Sequence, residues 1–207
     1  MTSRSEEVGR WGHPEAEDSA SADAASQASA DAPVGAAPGT PVPALLRPGL
    51  KAVFVGYNPG LTSGRTGHHF AGPGNNFWTL LHEVGLTPHR LLPEEETELL
   101  ELGLGITNLV THVTRSSSGL TWAQMRAGGA ELRARLLSLA PGRIVCLGKD
   151  VFRALVDQPR GQPLRWGLRR AWLASTPVDL LPNPSGANNA LLTVQRELWR
   201  QLADELS

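Results

Sequence analysis

Apolar and polar positions alternate in two different rhythms from Leu45 onward. Short apolar runs bounded by Gly, Pro and Asn are typical of buried strands, whereas apolar residues three and four apart are typical of helices with one buried face. The apolar runs predict strands over residues 51–56, 105–110, 143–147, 171–174 and 178–181.

Amphipathic stretches lie between these strands. They predict helices over residues 77–84 and 93–102, a helix launched by the T-x-x-Q capping box of Thr121 and Gln124, a helix around 150–156, and a last helix capped by Asn188 or Asn189. The side chains predicted to face the core from the third and the last of these helices are Leu132, Leu136, Leu137 and Leu139, and Leu191, Val194, Leu198 and Leu202.

The order of these elements predicts the fold class. Strands that alternate with helices form a mainly parallel sheet with helices on both faces, which here means a three-layer α/β/α architecture. In such sheets, ligands bind beyond the carboxyl ends of the strands. The Gly-, Asn- and Pro-rich segments that follow the first and the last strand are therefore expected to lie at that edge, and to carry the site.

Residues 1–42 have a different composition, rich in Ala, Ser, Asp, Gly and Pro with almost no large apolar side chain. Such a segment cannot bury enough surface to offset its ordering entropy, so it is predicted to be a disordered acidic tail before one domain over residues 43–207. The tail has two basic and seven acidic residues, which leaves 17 basic and 13 acidic residues in the domain. A mildly basic domain is compatible with phosphate binding.

The bulk properties exclude several classes of protein. The chain has one cysteine, Cys146, which excludes an intramolecular disulfide or a four-cysteine metal site and is predicted to be a small buried hydrophobe. No apolar run approaches the roughly 18 residues that span a bilayer, and the N-terminus lacks the pattern of a signal peptide. We expect a soluble cytoplasmic protein, associated with the nucleoid if bacterial, that does not bind membranes.

Three loops are candidates for chemistry. GYNPG at 56–60 follows the first strand and LPNPSG at 181–186 follows the last. Each is a common turn sequence by itself, and it is their shared position at one sheet edge that favours a functional interpretation. Between them, GHHFAGPGNNFW at 67–78 predicts a constrained loop in which Phe77 and Trp78 anchor the core while Phe70 is free to stack on a base.

The segments VFVGYNPGLTSG, GHHFAGPGNNFW, GITNLV and LPNPSG occur in this order, and the chain resembles the mismatch-specific uracil/thymine-DNA glycosylase family over residues 48–206. The resemblance implies the three-layer architecture of uracil-DNA glycosylases. It also implies that the substrate is double-stranded DNA with a mismatched or damaged pyrimidine, which is flipped out of the duplex. It implies no cofactor. We expect a monomer, since DNA must reach one face.

Residue roles follow from the same resemblance. It implies that Asn58 positions the hydrolytic water, that Phe70 stacks on the flipped base, and that backbone groups near Tyr57 and Phe70 read the base edge. Ser63 is expected close to the sugar–phosphate, and Gly56 and Asn108 complete the expected substrate-binding set. The residues expected to contact DNA are Asn183, Ser185, Gly186, Ala187, Asn188 and Lys149.

The chemistry of N-glycosidic cleavage agrees with these roles. The reaction builds positive charge on the sugar and negative charge on the departing base. An asparagine amide cannot take a proton as a carboxylate does, so Asn58 is expected to orient water, and the enzyme to depend on a good leaving group such as uracil. No lysine in the motifs matches a Schiff-base position, which predicts a monofunctional glycosylase without a lyase step.

Two departures keep an alternative open. Ala187 stands where the family often carries a bulky residue that fills the vacated stack, which predicts weaker duplex binding or a looser demand for an opposing guanine. Asn108 stands where bacterial relatives often have lysine, and GITNLV and GHHFAGPGNNFW are closer to the thymine-glycosylase branch. The alternative function is a non-catalytic protein of the same fold that binds DNA lesions or a nucleotide. A metal site is not expected, because the adjacent His68 and His69 are predicted to point apart and no H-x-x-x-H spacing occurs.

Overall fold

A five-stranded sheet forms the centre of the molecule. The computed structural model describes residues 41–114 and 119–207, and its strands lie in the order β2-β1-β3-β5-β4. The strands are β1 (Ala52–Gly56), β2 (Leu104–Asn108), β3 (Ile144–Leu147), β4 (Gly167–Leu173) and β5 (Thr176–Leu181). All neighbours pair in parallel except β4, which is antiparallel to β5. The mainly parallel sheet confirms the predicted fold class.

Helices cover both faces of this sheet. The α-helices of the described residues are α1 (Leu61–Thr66), α2 (Phe77–Glu83), α3 (Glu98–Glu101), α4 (Trp122–Leu139), α5 (Lys149–Val156) and α6 (Leu192–Leu206), with 3-10 helices at Pro93–Glu95 and Gly186–Leu191. On one face, alternate side chains such as Val53 and Val55 pack with α4 and α5. On the other face, Phe54 packs with α2, α3 and α6.

The second face is built around stacked aromatic rings. Phe54 lies parallel to Trp199 of α6 with centroids 5.2 Å apart, and Phe77 meets both rings edge to face. The side chains of Phe77 and Trp78 are buried, as predicted, and that of Trp199 is buried as well. Such contacts stabilise the fold beyond the burial of each ring, and they hold α2 and α6 against β1.

Strand register places the functional loops side by side. Gly56, the last residue of β1, pairs with Asn108, the last residue of β2. The segments that follow remain joined, because Leu109 N–H donates to Gly56 O at 2.8 Å and Val110 N–H donates to Tyr57 O at 2.9 Å. The loops after β1, β2 and β5 therefore leave the same edge of the sheet.

Several local predictions were wrong. The predicted helix over 93–102 is a 3-10 turn followed by the short α3, and the helix α1 was not predicted. Leu137 and Val194, predicted to face the core, are exposed. Neither Asn188 nor Asn189 caps α6, because residues 186–191 form a 3-10 helix first and Asn188 has non-helical angles.

The capping box at Thr121 is present as predicted. Gln124 N–H donates to Thr121 Oγ1 at 3.2 Å, and Thr121 N–H donates to Gln124 Oε1 at 2.8 Å. Cys146 is buried in β3, where burial raises the pKa of its thiol well above the usual range. The predicted tail lies almost wholly outside the described residues. Within the described residues, no helix is both long enough and apolar enough to cross a membrane.

Candidate active site

A cavity of about 640 Å³ opens at the carboxyl edge of the sheet. Its volume lies within the range of small-ligand pockets in proteins. Four parts of the chain contribute residues to its walls: 57–63, the loop at 70–75, the segment 183–188 after β5, and two residues at and after the end of β2, Asn108 and Thr114. The cavity therefore collects the three loops that the sequence singled out.

Asn58 has a fixed side-chain orientation in this cavity. Its Nδ2 lies 3.0 Å from Pro59 O, 3.3 Å from His112 O and 2.8 Å from Thr114 Oγ1. Two of these neighbours are carbonyl oxygens that can only accept, so the amide nitrogen must face them. No described residue donates a hydrogen bond to Oδ1, which leaves this oxygen as an acceptor for a bound water.

Gly56 allows the inner wall of the cavity to close. A Cβ at this position would lie 2.7 Å from Asn108 Oδ1 and 3.2 Å from Cζ of Phe70. Distances this short mean that any larger residue would push one or both side chains out of place. Gly56 does not itself line the cavity, but its missing side chain lets Asn108 and Phe70 converge over the end of β1.

Phe70 combines a strained backbone with a tightly packed ring. Its φ is +51°, in the left-handed region that bulky residues rarely adopt. The ring stacks on Phe77 at 4.1 Å between centroids and 21° between planes. Phe70 is only partly buried and lines the cavity. The core residue Phe77 therefore supports the Phe70 ring at the cavity wall.

Tyr57 lines the cavity, but its ring packs against the start of α5. A Cβ at Gly148, which precedes α5, would lie 2.4 Å from the Tyr57 ring. Burial, with a further contribution from the negative charge of Asp150, raises the pKa of the Tyr57 hydroxyl. The ring therefore anchors the loop to α5, which fits the expectation that the loop meets substrate through its backbone.

Ser63 is buried beneath the loop at 70–75. Its side chain is 5 % exposed and its Oγ accepts a hydrogen bond from Ala71 N–H at 3.2 Å. The residue lines the cavity, as expected of a residue near substrate. In this structure its hydroxyl also holds the residue that follows Phe70.

The loop after β5 forms the opposite rim and has its own internal bonds. Asn183 Oδ1 accepts from Ser185 N–H at 2.9 Å, and Asn183 O accepts from Asn188 Nδ2 at 3.1 Å. Ser185 Oγ accepts from Ala187 N–H at 3.4 Å. Asn183, Ser185, Gly186, Ala187 and Asn188 all line the cavity, and Ala187 is exposed at its mouth.

This rim is tied to the loop that carries Phe70. Asn76 N–H donates to Pro184 O at 2.8 Å, and Asn76 Nδ2 donates to Asn189 Oδ1 at 2.9 Å. A Cβ on Gly186 would lie only 2.8 Å from Gly74 O, so the two backbones need a glycine to approach this closely. These contacts join the rim to the loop that carries Phe70.

Lys149 is the one predicted DNA-contacting residue that does not line the cavity. Its ammonium lies 4.8 Å above the ring of Trp166, a cation–π contact on the neighbouring surface. At the start of α5 it lies beside Gly148, which contacts Tyr57.

The cavity lining is polar but carries no formal charge. Among the described residues that line it, none is Asp, Glu, His, Lys or Arg. Such a lining can supply hydrogen bonds and a bound water, but neither a carboxylate base nor a metal ligand set. The group of acidic and histidine side chains His89, Glu95 and Glu98 lies apart from the cavity, and Glu95 already accepts from Leu92 N–H.

The prediction that His68 and His69 point apart was wrong. Both Nδ1 atoms contact the carboxylate of Glu96, at 3.2 Å and 2.9 Å. Burial of Glu96 would raise its pKa, but hydrogen bonds from His69 and His68 outweigh burial and lower it. A local motif cannot reveal this contact, because Glu96 lies 27 residues from His69, in an acidic stretch whose pattern predicts the first turns of a helix.

The residues that orient Asn58 were also missed. Thr114 and His112 lie 56 and 54 residues from it along the chain, beyond the end of β2. A local motif cannot reveal such pairing. The register of β1 with β2 is the signal that does, because it predicts that the segment after GITNLV lies beside GYNPG.

The chain matches a known protein family over most of its length. Residues 43–203 match the model described as the uracil DNA glycosylase superfamily. The match spans most of the chain and includes every residue that lines the cavity. The parallel sheet, the loops at its carboxyl edge and this match agree, and the chain belongs to the uracil DNA glycosylase superfamily, whose members are hydrolases that release bases from DNA.

Proposed function

We propose that this protein is a monofunctional glycosylase that excises uracil from double-stranded DNA, with G·U mismatches among its substrates, and that Asn58 positions the attacking water. The observation that carries the proposal is the orientation of Asn58. Three acceptors around Nδ2 leave Oδ1 to hold a water in a cavity of suitable size.

The uncharged lining supports a specific mechanism. The N-glycosidic bond breaks as the base departs with the bonding electrons, which leaves positive character on the sugar, and the water held by Oδ1 attacks there. The proton that this water loses passes to solvent or to the departed base anion. No carboxylate lines the described cavity to take the water's proton early, and no acidic side chain lines it to protonate the base. The rate then depends on how well the base leaves as an anion, which favours uracil over thymine.

Phe70 and the rim loop supply the binding. An aromatic ring stacks on a flipped pyrimidine with little dependence on which base it is. Phe70 can supply this ring, and its own stacking on Phe77 holds it in position. The rim of residues 183–188 is polar and lies opposite Asn58, where it can contact the sugar–phosphate backbone. Excision of thymine from G·T belongs to the same proposal as a slower reaction.

One observation favours a second candidate, a protein that binds lesions without cleavage. Ala187 is exposed at the cavity mouth, and a methyl group fills a vacated base stack poorly. An enzyme that cannot hold the duplex open would bind extrahelical or abasic sites more readily than it would cleave paired uracil.

Labelled oligonucleotides with U opposite G, U opposite A, T opposite G, or single-stranded U separate these functions. Strand nicking after alkali reports base removal. We expect product from G·U, with a single-turnover rate that falls by about a hundredfold or more in Asn58→Ala. The variant's affinity for abasic DNA and its melting temperature should stay close to those of the wild type.

Tight binding to abasic DNA without product from any oligonucleotide would establish the lesion-binding candidate instead. Full activity in Asn58→Ala would leave the glycosylase function standing and refute the role of Asn58.

A further inference from the structure

Glu96 is a buried carboxylate that the proposed reaction does not use. It lies between the 3-10 helix at Pro93–Glu95 and α3, and is 5 % exposed. Burial of a carboxylate is unfavourable unless hydrogen bonds compensate for the lost water, so the partners of Glu96 indicate its structural role. Among the described residues, its carboxylate accepts hydrogen bonds from one segment, His68 and His69, which directly precedes Phe70.

The contacts bind both the backbone and the side chain of this segment. Oε2 of Glu96 accepts from His69 N–H at 2.7 Å and lies 2.9 Å from His69 Nδ1, and Oε1 lies 3.2 Å from His68 Nδ1. His69 is 1 % exposed, and its other ring nitrogen, Nε2, has no partner among the described residues. Glu96 therefore supplies the polar contacts that fix the buried His69 side chain.

His69, which Glu96 holds, is followed directly by Phe70, whose backbone is strained. Phe70 has a φ of +51°, which a bulky residue keeps only when its surroundings impose it. On the other side of Phe70, Ala71 N–H donates to the buried Ser63 Oγ. Ser63 thus holds the peptide group that follows Phe70, and Glu96 holds the peptide group between His68 and His69, one residue before it.

The geometry points to Glu96 as a positioning residue for the reaction: it holds His69 so that Phe70 keeps its strained backbone and places its ring on Phe77 at the wall of the cavity. This inference rests on the proposed function of the cavity, because it assigns Phe70 the contact with the flipped base. Glu96 does not line the cavity and acts on the substrate only through Phe70.

Substitution of Glu96 tests the inference against a matched control. Glu96→Leu keeps a similar volume but removes every acceptor, which leaves His69 N–H unpaired, whereas Glu96→Gln keeps one acceptor oxygen. We expect the single-turnover rate on G·U DNA to fall by about tenfold or more in Glu96→Leu and to be largely retained in Glu96→Gln. The control is Glu94→Leu, an exposed glutamate two residues away that should keep the wild-type rate.

A double-mutant cycle distinguishes positioning from general damage to the fold. If Glu96 acts through Phe70, adding Glu96→Leu to Phe70→Ala should cause no further loss of rate. Losses that multiply in the double variant would show that Glu96 acts independently of Phe70, and would overturn the inference. If Glu96→Leu proves insoluble, Glu96→Asp serves in its place, because its carboxylate is one methylene short of His69 N–H.

Crystal structures of the wild type and the variant give a readout that needs no activity. The Phe70 ring should leave its stacked position on Phe77 in Glu96→Leu and keep it in Glu94→Leu. A ring that stays in place overturns the inference, whatever the rates. If the wild type removes no base from any oligonucleotide, the proposed function fails, and the ring position alone then decides whether Glu96 holds Phe70.

Discussion

At the scale of single residues, the motifs predicted most of the positions that meet at the cavity but not how their side chains are held. Asn58 and Asn183 could be chosen from sequence because turn residues after strands collect at one edge of a parallel sheet, and Phe70 because it lies in a glycine-rich loop that carries the family resemblance. The groups that orient them could not. Thr114, which contacts Asn58, and Glu96 are distant in sequence from the residues they contact, and a local pattern carries no information on such pairs.

Gly56 yields the first prediction. Gly56→Ala should displace Asn108 and Phe70, because the new Cβ would lie 2.7 Å and 3.2 Å from their atoms. We expect the single-turnover rate to fall by about tenfold or more, with overpacking that costs roughly 1–3 kcal/mol of stability.

The control for this prediction is Gly105→Ala in the neighbouring strand, whose Cβ would meet Leu50 and Leu45 away from the cavity. It should lower the melting temperature while the rate per folded molecule stays at the wild-type value. Equal rates in the two variants would contradict the role assigned to Gly56.

Ala187 yields a prediction of gained function. A leucine at this exposed position on the cavity rim should fill the space of a flipped base. Ala187→Leu should therefore bind G·U duplex several-fold more tightly than the wild type, measured by fluorescence anisotropy, while the rate on single-stranded U is unchanged. Ala190→Leu, exposed on the same 3-10 helix but not lining the cavity, is the control. A gain of equal size for single-stranded DNA would show that the leucine adds only general affinity.

At the scale of elements, predictions succeeded where local chemistry decides and failed where distant contacts override it. The capping box at Thr121 is local and was predicted correctly. The start of α6 was not, because Asn188 Nδ2 donates to Asn183 O and the chain continues as a 3-10 helix. Gln195 of α6 is fully buried and also donates to Asn183 O. Hydrophobic periodicity cannot predict a polar side chain at a core position.

The cap of α4 gives the prediction at this scale. Thr121→Ala removes the acceptor for Gln124 N–H and should lower the free energy of unfolding by about 1 kcal/mol in urea titrations. Thr97→Ala is the matched control, since Thr97 precedes α3 in the same position but makes no side-chain cap bond. The control should be close to neutral. Both variants should excise uracil at the wild-type rate, because neither residue lines the cavity.

At the scale of the whole molecule, the order of strands and helices was enough to predict the layers. Each predicted apolar run overlaps a strand of the sheet, and the two helix layers follow from side chains that alternate across the sheet. The antiparallel β4 was predicted only as an additional strand, because neither its direction nor its place at the sheet edge is encoded in a short apolar run. The buried Arg143–Asp179 pair, at 2.9 Å, likewise joins residues 36 apart.

The stability of the whole molecule should depend on pH through Glu96. Its pKa in the folded protein lies below the ordinary value of 4.5, because hydrogen bonds from His69 and His68 outweigh the opposing effect of burial. The unfolded chain therefore binds more protons at this group between the two pKa values, so this contribution to stability is complete above 4.5 and is lost as the pH falls through the folded value. In urea titrations, Glu96→Gln should be less stable than the wild type near neutral pH, and the gap should shrink as the pH falls below 4.5. Glu94→Gln, an exposed neighbour, should show no such pH-dependent gap. A gap for Glu96→Gln that stays constant across this range would mean that the charge of Glu96 contributes nothing to folding, and that its hydrogen bonds alone hold the segment before Phe70.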